Sequence, residues 1–168
     1  MLAYEGLFLL LIERSIKEEP MEFVAKHNRA ALASAKVYAK AKPWQGEFDE
    51  RVAKIRDFHA DLNDAYDTEI DLIIDTEGGI PSSAGGFTTY DTPEGSGAIV
   101  LRPGFAVMTY LRLFAESLEY HRDMENSEDE GVTSYSARWA NGLFKKAFPK
   151  SWAKLVERNA PILTRDYA

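Results

Sequence analysis

The chain has 168 residues, enough for one domain or one domain with a short appendage, and its 45% hydrophobic and 12% aromatic content can build a sizeable core. It has no cysteine, which excludes a disulfide framework, a Cys-ligated zinc site, an iron–sulfur cluster and thiol catalysis, and fits a reducing compartment. A formal charge of −7 argues against nucleic-acid binding driven by bulk charge, and the three histidines, His27, His59 and His121, are too scattered for a local His-x-x-x-His pair.

A first helix is expected over residues 2–18, ending near Pro20. Its apolar run from Leu7 to Ile12 is too short for a membrane span and lacks the basic flank of a signal peptide. It reads as a core or partner-docking helix, with an amphipathic membrane contact as the alternative. From Met21 to Lys42 the chain is rich in Ala and Lys, which predicts a second, basic helix stopped by Pro43, with Phe23, Ala30, Val37 and Ala41 as its apolar positions. A third, acidic helix is predicted over Phe48 to Tyr66, where Val52, Ile55, Phe58, His59, Leu62 and Tyr66 repeat at helical spacing. His59 lies beside that stripe and reads as a packed core histidine.

The pattern then changes. Glu69 to Asp75 is a β-branched run, Gly86 to Asp91 a second strand and Ala98 to Leu101 a third, separated by Gly, Pro and Ser turn chemistry. None of the Gly pairs has phosphate-loop spacing. A long helix is predicted from Phe105 to His121 or Met124, with Val107, Met108, Leu111, Phe114, Ala115 and Leu118 as its apolar stripe. The acidic stretch from Asp123 to Gly131 reads as a solvated loop without EF-hand spacing. Two helices follow, Ala137 to Phe148 and one after Pro149 that buries Trp152, Leu155 and Val156. The expected fold is α+β: N-terminal helices, then a small three-stranded sheet packed on a long helix, then C-terminal helices. Residues 1–45 form the helical segment and 46–168 the α+β domain, together one compact unit.

Helix, three short strands, long helix, acidic loop, helix is the order of a zincin metallopeptidase core, and a second segment supports the likeness. Tyr135-Ser136-Ala137-Arg138-Trp139-Ala140-Asn141-Gly142-Leu143-Phe144-Lys145-Lys146-Ala147-Phe148 resembles the Tyr…Glu-x-Phe-Ala-Glu-Ala-Phe helix of gluzincins, most of all the anthrax-lethal-factor type and its small phage and mobile-element relatives. The resemblance spans roughly 48–158 and implies a zincin-like fold. It places the first histidine ligand at Ala115, the second at Glu119 and the glutamate ligand at Gly142. Only the general-base position, Glu116, and the transition-state tyrosine, Tyr135, keep the family's residue.

A catalytic zinc needs three converging protein ligands, two of them four residues apart if they share a helix face, and neither Ala115 nor Gly142 offers a donor side chain. Two carboxylates on one buried face, Glu116 and Glu119, would repel unless a cation stood near. Arg112 lies at i−4 from Glu116 and Arg122 at i+3 from Glu119, while Lys145 and Lys146 are expected on the facing side of the next helix. One of these four is expected to replace the metal's charge. The plain alternative is an amphipathic helix with solvated glutamates.

The function implied is a protein that has lost zinc peptidase chemistry, has no cofactor, and acts by binding or assembly. Its concrete form is a virion component or host-directed accessory protein, cytoplasmic or virion-associated. Basic segments at 22–42 and 138–158 and acidic ones at 46–77 and 123–130 suit a protein partner or self-association into an oligomer. The alternatives are a zinc metallopeptidase with ligands gathered from Glu116, Glu119 and His121, and unrelated hydrolytic chemistry. His121 beside Tyr120 and Asp123 is a further candidate base, set against a surface histidine at a helix end. Trp44, Trp139 and Trp152 are candidates for a recognition patch, set against core positions.

Overall fold

The computed structural model describes residues 28–81, 85–89, 92, 96–122 and 130–167, with side chains described for 28–81, 85–89, 92, 96–118 and 138–158. The helix expected over 2–18, Phe23 and His27 lie outside these residues, as do residues 123–129 of the acidic stretch.

The elements run in chain order as helix α1 (28–40), helix α2 (Phe48–Tyr66), strands β1 (Asp71–Ile74), β2 (Gly86–Thr89) and β3 (Ala98–Leu101), and helices α3 (Val107–Arg122), α4 (Glu130–Ala147) and α5 (Pro149–Tyr167). The class is α+β, helices flanking a small mixed sheet.

Helix α1 buries a different face from the one its spacing predicts. Ala31, Ala35 and Tyr38 are buried, whereas Ala30 and Ala41 are exposed and Val37 is 65% exposed. The physical reason is an aromatic anchor: the Tyr38 ring stacks on Phe58 of α2 at 4.6 Å and meets Phe148 edge-on at 6.1 Å. The small Ala31 and Ala35 side chains sit on that same face and allow close approach. Pro43 follows α1, and the turn into α2 is tied by the Lys54 ammonium, which donates to the carbonyls of Lys42 and Gln45 at 3.2 Å each. Gly46 has φ +97, a backbone angle that glycine adopts without strain and L side chains rarely do.

Helix α2 has the bounds its periodicity predicts, with Asp49 and Glu50 in the first turn favouring its dipole, and it buries Ile55, Phe58, His59, Leu62 and Tyr66. It ends at Asp67, φ 53, whose N–H bonds to Asn63 and Asp64 carbonyls. The Asn63 amide then fixes the chain into β1. Its Oδ1 accepts from the Thr68 hydroxyl at 2.8 Å and the Ile70 N–H at 3.2 Å, and its Nδ2 donates to the Ile70 carbonyl at 3.0 Å.

The sheet order is β1-β3-β2, with β1 parallel to β3 and β2 antiparallel to it. The period of two divides each strand. Leu72, Ile99 and Leu101 face the core, while Ile73, Val100 and Phe87 form one cross-strand row with Ile73 and Phe87 exposed. Helix α3 packs on β2 and β3 on one side and on α4 on the other. It therefore buries more than a single stripe: Tyr110, Leu113 and Ser117 join Leu111, Phe114, Ala115 and Leu118. Aromatic contacts run through the layers, from Phe58 to Tyr110 at 5.8 Å, Tyr110 to Phe114 at 6.3 Å, and Phe114 stacked on Trp139 at 6.1 Å.

The C-terminal half departs from expectation twice. Helix α4 begins at Glu130, not at Ala137, so Glu130 and Gly131 belong to it and Tyr135 lies within it. Gly131, Val132, Thr133 and Ser134 have low helix propensity and hid that first turn, while Glu130 suits a helix N-terminus. In α5, Trp152, Leu155 and Val156 are half-buried, not buried: that helix packs on α4, with Trp152 and Leu155 against the edge of the core. Its start has a clear cause: Pro149 lacks the N–H that a first helical turn leaves unused.

Candidate functional site

The α3–α4 pair carries every site position of the zincin resemblance and the four candidate cations. Glu119 and Arg122 of α3, His121, and Tyr135 of α4 have helical backbone, and their side chains lie outside those described. Ala115 is 3% exposed and belongs to the hydrophobic core, so its methyl group faces packed side chains. Glu116, the next residue, is half-buried. Burial pushes its carboxyl above the ordinary carboxylate range, and the Arg112 guanidinium one turn earlier opposes that rise.

Lys145 and Lys146 do not face α3. Both are exposed, and α4 turns Trp139, Ala140, Leu143, Phe144 and Ala147 to the core instead. The reason is competition for the buried face: five apolar side chains at helical spacing outbid two lysines whose charge water solvates at no cost. Among the candidate cations whose side chains are described, Arg112 is the one that acts on Glu116.

Two polar side chains are buried on these helices, and the sequence pattern singles out neither. Ser117 is 0% exposed and Asn141 is 3% exposed. The Ser117 hydroxyl and both amide atoms of Asn141 have no hydrogen-bond partner among the described residues. They adjoin Glu116 and Gly142 in sequence, on the two packed helices. The available signal was a polar residue in the phase of the apolar stripe.

Among the described residues no three His, Cys, Asp or Glu side chains come together in a way that could hold a metal ion. His59 is 6% exposed and fully engaged. Its Nε2–H donates to the Ile70 carbonyl at 2.5 Å, which leaves Nδ1 to accept from the Tyr110 hydroxyl at 2.7 Å and fixes the neutral tautomer. Burial first, with Arg56 adding, holds its pKa below the ordinary histidine value, against the Ile70 bond and Asp71. The three tryptophans do not form one patch. Trp139 is core, with its indole N–H shared between Asn28 Oδ1 at 2.9 Å and the Tyr66 hydroxyl at 3.1 Å. Trp44 is 54% exposed and tilts against Phe148, and Trp152 is half-buried against Phe144.

Gly142 opens on solvent-accessible space. A Cβ added there meets nothing described within 4 Å, and the residue borders a cleft of about 340 Å³ between α1 and α4. Arg29 from α1 and Arg138 and Lys146 from α4 line it, with Leu32 and Leu143. No acidic residue is among the described lining. The sequence reveals the individual basic residues but not their convergence, which depends on how α1 packs against α4. Compared with models of protein families, with curated proteins and with solved structures, the chain matches none.

Proposed function

We propose that the chain is a zincin-like protein without metallopeptidase chemistry that works by binding or assembly, as a virion component or host-directed accessory protein. The observation that carries this reading is the fate of two ligand positions implied by the resemblance. One is a methyl group packed in the core, Ala115, and the other is bare backbone at the edge of a basic cleft, Gly142. The carboxyl at the general-base position, Glu116, has a guanidinium beside it where peptidase chemistry would use a metal. The binding half of the proposal is supported by charge. Lys36, Lys40, Lys145, Lys150 and Lys154 stand exposed on α1, α4 and α5, and Asp49, Asp57, Asp61 and Asp64 stand exposed on α2. Opposite charges on separate helices steer association with a partner or a second copy. No described helix is long and apolar enough to cross a membrane.

Elemental analysis of the untagged full chain, purified without chelators, tests the first half. Substoichiometric zinc and an unchanged melting temperature on chelation are expected, and stoichiometric zinc overturns it. Light scattering over a dilution series, with fractionation of particles, tests the second half. A monomer at every concentration that leaves the particle fraction empty overturns that half.

A further inference from the structure

The cleft at Gly142 carries an inference that does not depend on the zincin reading. Arg138, Gly142 and Lys146 are spaced four apart on α4, so they fall in one row on one face of the helix. The missing side chain at Gly142 makes a notch between two cations whose α-carbons are about 12 Å apart along the axis. Both side chains are long and exposed enough to fold inward from either end. Arg29 closes the third side from α1. None of these three cations has a described hydrogen-bond or ion-pair partner, in a chain whose net charge is −7.

The wall opposite the notch is fixed. Asn28 Oδ1 accepts both the Tyr66 hydroxyl and the Trp139 indole N–H, each at 2.9 Å, which ties the α1 backbone beside Arg29 to α2 and α4. Those polar groups satisfy one another and leave the recognition of a ligand to the three cations, above the apolar surface of Leu32 and Leu143. Nothing among the described residues requires glycine at position 142. Its φ lies outside the left-handed range and a Cβ there meets no described atom, so alanine, the best helix former, would fit among the described residues.

We infer that this cleft is a binding site for a small anionic molecule, one with a phosphate ester or clustered carboxylates on a short apolar body. A volume of about 340 Å³ matches a small-molecule site. Three convergent cations, two of them guanidinium groups able to form paired hydrogen bonds, match a compact multivalent anion.

Calorimetric titration of the full chain with inorganic pyrophosphate and, separately, citrate tests this at fixed ionic strength. Saturable binding of either probe at one site per chain is expected, pyrophosphate alone indicating a phosphate ester and citrate alone clustered carboxylates. Arg29→Gln and Arg138→Gln, both at exposed positions, should each weaken binding about tenfold, the loss of one charge-assisted contact. Lys150→Gln, an exposed cation outside the cleft, should leave it unchanged. Gly142→Leu keeps all three charges and fills the notch, and should abolish binding while circular dichroism stays that of the parent. No saturable binding of either probe at millimolar concentration overturns the inference. So does an equal loss in Lys150→Gln and Arg138→Gln, or undiminished binding in a folded Gly142→Leu.

Discussion

Replacing Ser117 by alanine should stabilise the protein, which is the opposite of what most core substitutions do. The side chain is 0% exposed and its hydroxyl has no partner among the described residues. A buried hydroxyl left unsatisfied costs about 1–3 kcal/mol, and alanine also has the higher helix propensity, by a few tenths of a kcal/mol. Against this stands the loss of one oxygen's packing contacts in the α3 interface, worth a fraction of the gain. The net expectation is about 1 kcal/mol of added stability, or roughly 2–4 °C in melting temperature for a chain of this size. Asn141→Leu, similar in volume, removes two such atoms and should do at least as much. Urea midpoints of the two single variants and the double variant measure both effects and their additivity. A loss of stability in either single variant would refute the reasoning, since it would mean that the polar atoms hold something whose removal costs more than their own burial.

Glu116→Gln should stabilise increasingly as pH rises. The folded carboxyl titrates above its ordinary value of 4.5, so the wild-type chain is relatively stable below that pH and loses stability as ionisation is forced on the half-buried group. After solvent screening the gain at pH 7 should stay below about 1 kcal/mol, and the two melting curves should converge near pH 4. His59 acts with the other limb: its folded pKa lies below 6.5, so the stability it contributes is complete above that pH and falls as pH drops below it. His59→Gln should flatten this acid limb in urea titrations from pH 8 to 5. Tyr110→Phe should cost about 1–3 kcal/mol at pH 8, because it strips the buried His59 Nδ1 of its only donor among the described residues, and an unchanged urea midpoint would refute that assignment. Gly142→Ala should stabilise the chain by about 0.5–1 kcal/mol of helix propensity, seen as a higher urea midpoint, with a fall pointing to a conformation that only glycine tolerates.

The sequence made the long, strongly periodic elements legible. In α2 the apolar residues are large and regularly spaced, so the burial of Ile55, Phe58, His59, Leu62 and Tyr66 follows from period alone. In α1 the same rule selects the wrong face, because alanine is apolar without carrying much burial energy. Tyr38, a single aromatic residue with a partner on another helix, decides the orientation instead. For the α3–α4 pair, the sequence located Glu116 beside a basic residue but placed Lys145 and Lys146 inward, since two adjacent lysines say nothing of which neighbouring apolar residues will claim the interface. The basic cleft was out of reach for a related reason. Arg29 and Arg138 are 109 positions apart, and it takes tertiary contacts, among them the hydrogen bonds from Tyr66 and Trp139 to Asn28, to bring their helices to one wall.

Ala115 and Gly142 replace ligands in the resemblance, but physically they are unlike. Ala115 explains itself: it is buried in the core, it is the best helix former, and a larger polar group there would need a partner that the packed face does not offer. Any chain released from metal chemistry and selected for stability would move toward such a residue. Gly142 does the reverse. It weakens a helix interior, fills no tight contact among the described residues and permits no special backbone angle that alanine lacks. The proposed loss of metal chemistry would therefore account for Ala115 but give no reason among the described residues for Gly142, whereas a ligand entering between Arg138 and Lys146 gives the empty position a use. Stability and binding make opposite demands at this residue. An alanine there that raises the urea midpoint while weakening pyrophosphate or citrate would show both demands in one variant.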